Sequence, residues 1–203
     1  MNLKFYAFCA ITTLLATAAT AQEKVGTAVV DGRTVTLFSD NSWQFEAAKL
    51  GSCENIAKTI HFCPPQEWKR TPAPSPLIAA QFMQDATHYY QFISEQLGRS
   101  HGLDHDRMID LVLQGTAGSL GKSVEDIPIL GVSDATVSGK PGRTVSYGFK
   151  FNGLDIVFAN TVMIGDTTTL QLQSYVIGET SYTENHAQRH ADFLSKVELK
   201  DEQ

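Results

Sequence analysis

Residues 146–177 form three runs of β-branched and aromatic side chains joined by turn dipeptides, and this pattern leaves few folds open. Ser146–Phe151 is followed by Asn152-Gly153, Asp155–Val162 by Gly165-Asp166, and Thr168–Ile177 closes the series. Asn-Gly supplies the two positive φ angles of a tight hairpin turn, and Gly-Asp is a serviceable equivalent. Ala135–Val137 pairs into the same series. Sequential hairpins predict an antiparallel sheet.

Upstream, Leu77–Met83 and His88–Ile93 read as two further strands with Gln84–Thr87 as their turn. Asp104 can cap a helix whose apolar set is Met108, Ile109, Leu111, Val112 and Leu113, ending near Gly115. A second amphipathic helix closes the chain. Ser181 and Glu184 fit a capping box, and Ala187, His190, Ala191, Leu194 and Val197 recur at helical spacing. Laying that stripe on the sheet predicts an α+β fold, an antiparallel sheet packed against helices.

The first 21 residues read as a secretory signal. Lys4 precedes an apolar run from Phe5 to Ala16, and Ala19-Thr20-Ala21 gives a small-residue exit with cleavage expected before Gln22. The run is shorter than the roughly 20 residues that span a bilayer, so no transmembrane segment is expected in the mature chain. Export removes Cys9 and leaves Cys53 and Cys63, an even pair in an oxidising compartment, as the expected disulfide. Their spacing is too wide for a redox-active C-x-x-C pair. Removing the signal takes away Lys4 and no acidic residue, leaving 15 basic against 22 acidic side chains and a net charge of −7. That argues against nucleic acid as a partner.

Residues 22–50 form a predicted β-meander, with Val25–Val30, Thr34–Phe38 and Trp43–Phe45 as strands and Asp31-Gly32 as a hairpin turn. Its Asp31-Gly32-Arg33 strand entry and Asp40-Asn-Ser42-Trp43 turn resemble a short module near the start of many exported bacterial proteins. Trp43 and Phe45 alternate onto one face and are expected to be buried there. Residues 51–76 follow as a disulfide loop and a Pro-rich connector; five of the seven prolines lie between Pro64 and Pro76, which favours extended chain or an edge strand. Residues 77–203 form the α+β sandwich domain.

The order of these elements resembles the PsbP-like α/β sandwich over residues 60–199. The resemblance is carried by Pro64-Pro65-Gln-Glu-Trp68, the middle helix, Val137-Ser138-Gly139, the hairpin-linked strands and the terminal Phe193-Leu-Ser-Lys-Val197. That fold is shared by extrinsic photosystem proteins, a nuclear-import regulator and DcrB-like bacterial periplasmic proteins. The resemblance implies an accessory or binding role and transfers no catalytic residues.

Candidate reactive motifs weaken on inspection. Gly115–Ser123 approaches a phosphate loop but has Thr116 where the motif needs Gly, and it follows a helix. Ser119 lies one glycine short of a nucleophile elbow. His186 and His190 stand four apart on one helix, and His101, Asp104, His105 and Asp106 form a second polar cluster. If these histidines met, a metal site or metallohydrolase would follow. Tyr89, Tyr90, Phe149, Phe151, Phe158 and Tyr175 either line a groove or fill the core, the core being the default for alternating aromatics. The sequence reading is therefore an exported, periplasmic or secreted, non-catalytic binding or accessory protein. Its partner is a protein or envelope component, and it has no assigned cofactor, metal or catalytic residue. An exported metal-binding protein or metallohydrolase using His101, His105, His186 and His190 is the alternative.

Overall fold

The structure, a computed structural model, describes residues 22–30, 33–45 and 51–200. It divides into two compact units, Met1–Ala47 and Ala48–Gln203. The expected signal segment, the expected Asp31-Gly32 turn and residues 46–50 and 201–203 lie outside the described residues.

In the first unit, β1 (Lys24–Val30), β2 (Arg33–Phe38) and β3 (Trp43–Phe45) form an antiparallel meander in the order β1-β2-β3. The turn into β3 is closed by Asp40, whose Oδ1 accepts from the Ser42 amide at 2.9 Å, with Asn41 at φ 64°. Val35 is buried. Trp43 is not: it is 56% exposed, with its ring edge-on to Phe45 at 5.2 Å. The expected burial of Trp43 fails because it is the first residue of the short edge strand β3, where no further strand of the meander covers its ring.

The second unit is built on seven antiparallel strands. These are β6 (Lys69–Thr71), β7 (Ile78–Met83), β8 (His88–Glu95), β9 (Ile129–Val137), β10 (Lys140–Phe151), β11 (Leu154–Ile164) and β12 (Thr169–Ile177), in the order β6-β7-β8-β12-β11-β10-β9. The fold class is therefore α+β, as the hairpin series requires. Asn152 and Gly153 adopt φ 50° and 84° in the predicted turn, and Ser138 and Gly139 adopt 50° and 74°. Val137-Ser138-Gly139 is thus the end of β9 and a second two-residue hairpin turn, with Val137 opposite Lys140, rather than strand throughout. The proline-flanked β6 is an edge strand, where missing backbone donors cost least.

Strand alternation divides the core into two clusters on opposite faces. Along β11, Val162 and Ile164 belong to one cluster and Met163 to the other. Helix α1 (His105–Leu120) closes the first face with Met108, Ile109, Val112, Leu113 and Ala117, packed over Val145 and Tyr147. Asp104 caps it as predicted, accepting from the Arg107 amide at 2.8 Å. The helix does not stop at Gly115. It runs to Leu120 and ends at Gly121 in the left-handed conformation, φ 63°.

The opposite face is closed by α2 (Glu184–Leu194) and a small sheet in the order β13-β5-β4. That sheet comprises β4 (Glu54–Ala57), β5 (Ile60–Phe62) and β13 (Val197–Leu199). Phe62 is the hub, with ring centroids 4.9 Å from Phe92, 5.0 Å from Phe82 and 5.7 Å from Phe193. Two sequence expectations shift here. The α2 cap is Thr183, whose Oγ1 accepts from the His186 amide at 3.4 Å while the Thr183 amide donates to His186 Nδ1 at 3.1 Å; Ser181 lies outside. The buried face is His186, His190, Phe193 and Leu194, whereas Ala187 and Ala191 are exposed, and Val197 begins a strand.

Candidate functional site

Cys53 and Cys63 are joined, S–S 2.07 Å, across the open end of the β4–β5 hairpin, so the predicted disulfide loop is itself a hairpin. The disulfide marks an extracytoplasmic protein. Beside it lies a groove of about 540 Å³ lined by Gly51, Ser52, Glu54, Pro64, Pro65, Gln66, Trp68, Arg70 and Phe82. The Arg70 guanidinium pairs with the Glu54 carboxylate and lies over the Phe82 ring at 5.9 Å. Trp68 forms the inner wall, its back face stacked on Tyr90 at 3.8 Å. A cation, an anion, an indole and two fixed prolines thus share one ligand-sized recess.

The histidines singled out by spacing do not gather. Among the described residues, Cys53, His61 and Cys63 are the three-donor group whose atoms lie within 4.8 Å of one another. His101 takes the Gly98 amide on Nδ1 at 3.2 Å, and His105 opens α1 with a buried, unbonded Nε2. His186 is consumed by the helix cap. His190 is sealed between two hydroxyls, with Thr161 Oγ1 2.7 Å from Nε2 and Ser174 Oγ 2.8 Å from Nδ1.

Ser174 and His190 have the distance of a nucleophile and its base, and Ser174 faces a crevice with His88, Tyr90, Tyr182, His186 and Arg189. Its electrostatics oppose that chemistry. Burial holds the His190 pKa down at about 3, so the ring is neutral at pH 7 but too weakly basic to draw a proton from a serine. The orienting partner is a threonine hydroxyl where a triad places a carboxylate. The crevice has about 20 Å³ of free space, room for about one water molecule. The arrangement is a buried hydroxyl–imidazole chain that ties α2 to β11 and β12.

The remaining candidates fall on either side of the sheet. Gly115 and Gly118 lie inside α1, where Ser119 Oγ donates back to the Gly115 carbonyl at 2.8 Å, so neither a phosphate loop nor an exposed nucleophile forms. Tyr90 is core on the α2 face and Phe151 is 48% exposed. Tyr89, Tyr175, Phe158 and Tyr147 stand in register across four strands, with ring centroids 4.8–5.4 Å apart. That separation is close to the strand spacing. The next register row is Gln81, Gln91, Gln173 and Asn160. Its amides bond one another and Gln171, which donates to Glu95 at 2.7 Å, and the Tyr175 hydroxyl reaches Gln81 Oε1 at 3.4 Å. Sequence reading missed this amide row and the Asn55–His61 pair. Gln171 and Gln173 at alternate positions of β12 were a signal for the row, whereas nothing in the β4 and β5 sequences signalled the Asn55–His61 pair.

No known protein family profile and no curated protein matches the chain. Solved structures do resemble it in part. A Bacteroides thetaiotaomicron protein is 11% identical with a TM-score of 0.46, over 70% of this chain and 46% of that one, so the chain spans about half its length. LpqN, involved in cell envelope biogenesis of Mycobacterium tuberculosis, is 17% identical with a TM-score of 0.44, over 70% of this chain and 83% of that one. PA94 of Pseudomonas aeruginosa, a protein of unknown function, is 10% identical with a TM-score of 0.34, over 82% and 88%. No assignment of function rests on these likenesses.

Proposed function

We propose that the mature chain, starting at Gln22, is a periplasmic or secreted accessory protein of the PsbP-like kind that binds an extended segment of an envelope protein without catalysing a reaction on it. The observation that carries this reading is the groove beside Trp68. Its volume of about 540 Å³ suits a few residues of peptide, and Pro64, Pro65 and Trp68 offer walls that lose little entropy on binding. Arg70 and Glu54 present opposite charges side by side. That suits a chain with both donors and acceptors better than a polyanion, which the acidic balance of the protein would repel. The weak basicity of His190 supports a non-catalytic role, and the separation of His101, His105, His186 and His190 takes support from the metallohydrolase alternative.

A photo-crosslinking residue at exposed Gln66, with exposed Asp110 on α1 as control, tests the reading in exporting cells. A discrete, protease-sensitive adduct from position 66 alone is expected, on protein whose N-terminal sequencing begins at Gln22. Equal adducts from both positions, none from either, or a protease-resistant adduct would reject it.

A further inference from the structure

The outer face of the β4–β5 hairpin carries a two-by-two patch. Asn55 is opposite His61 and Glu54 opposite Phe62, so Cys53 meets Cys63 one step further on. Period-two alternation then puts 53 and 55 of one strand, and 61 and 63 of the other, on one face, away from buried Ile60 and Phe62. His61 Nδ1 lies 3.2 Å from Asn55 Oδ1, and Lys200 Nζ, which can only donate, lies 3.2 Å from the same oxygen. An atom approached by a lysine is the amide oxygen, so Nδ1 is the donor of the pair and carries the proton. The lone pair of Nε2 is left facing Cys63 Sγ at 3.9 Å.

We infer that Cys53, Cys63 and His61 form a redox-gated site for a thiophilic d¹⁰ cation, Zn²⁺ or Cu⁺, held by two thiolates and Nε2 in the dithiol form of the protein. All three donor atoms already lie within 4.8 Å of one another. Metal–sulfur and metal–nitrogen bonds of about 2.3 and 2.0 Å place donors roughly 3.5–3.8 Å apart, so the sulfurs must separate while the imidazole hardly moves. Asn55 plays the outer partner that orients a ligating histidine. Opening the site takes two electrons and two protons from a dithiol reductant, which leaves as its own disulfide. The S–S bond breaks, two thiols form, and the incoming cation displaces both thiol protons. Oxidation closes the site, because a disulfide sulfur has no thiolate charge to offer.

The test uses the mature chain reduced with a phosphine and desalted without oxygen. Co²⁺ serves as the spectroscopic stand-in for Zn²⁺, and Cu⁺ is titrated in competition with a chromophoric chelator. One equivalent is expected, with thiolate charge-transfer absorption, in whichever arm the protein prefers, and none in the oxidised chain. Asn55→Ala, at an exposed position, should weaken binding about 10–100-fold, and His61→Ala at least as much. Binding that survives Cys53→Ser with Cys63→Ser, or an affinity unmoved by both His61→Ala and Asn55→Ala, would overturn the site. So would a reduced chain whose far-ultraviolet circular dichroism is lost and not restored by metal.

Discussion

The imidazole of His190 sits 3% exposed between two hydroxyls, and its charge state links this one residue to the pH stability of the whole unit. Burial lowers its pKa from 6.5 to about 3 in the folded chain, while the unfolded chain protonates near the ordinary value. Between those values the unfolded state holds the extra proton. The stability contributed is therefore fully present above about pH 6.5 and is lost as pH falls toward 3. Urea titrations across that window should show a slope steeper in the wild type than in His190→Gln by up to about 1.4 kcal/mol per pH unit. Equal slopes would show that His190 does not govern the acid limb. The residue was visible in the sequence as a member of an apolar stripe. Its partners were not, because Thr161 and Ser174 lie 29 and 16 residues away and are delivered by the register of two other strands.

At the scale of elements, the pairing of consecutive hairpin strands followed from turn chemistry, whereas the β8–β12 pairing that joins the two hairpin series, and the helix ends, did not. Two overlapping cap patterns compete before α2, Ser181 with Glu184 and Thr183 with His186. The first has the better residue at the third helical position, yet the second is used. His186 is buried against the sheet, and packing of that face outweighs the few tenths of a kcal/mol that separate cap residues. Thr183→Ala should accordingly lower stability by about 1 kcal/mol in chemical unfolding, and Ser181→Ala by much less. The reverse order would restore the sequence-level cap. A similar competition explains α1, where a stop was expected near Gly115 and the helix in fact continues five residues further, through Gly118 to Leu120. Both have open space around Cα on the exposed side, so each costs only its own propensity and neither forces an end.

For the whole molecule, both hydrophobic clusters lie within Ala48–Gln203. Phe62 from the disulfide hairpin and Phe193 from α2 meet in the same cluster, so the hairpin is as much part of that core as the large sheet is. Residues 48–203 alone should therefore unfold in one cooperative thermal transition, with a midpoint within a few degrees of that of the mature chain. A broad or absent calorimetric transition would show that the N-terminal meander supplies part of the core.

Residues 146–177 determined the antiparallel sheet by themselves, because Asn-Gly admits the positive φ angles that a tight hairpin needs and few other dipeptides do. Cysteine number, read with the expected export signal, likewise pointed to the Cys53–Cys63 disulfide. Both are local or countable properties of a chain. What only the tertiary structure decided is which side chains face each other from distant strands: the groove between Glu54, Trp68 and Arg70, the hydroxyls that enclose His190, and Asn55 turning His61 toward the sulfurs. These depend on register and on which face each strand buries, and a one-residue slip would have dispersed all of them.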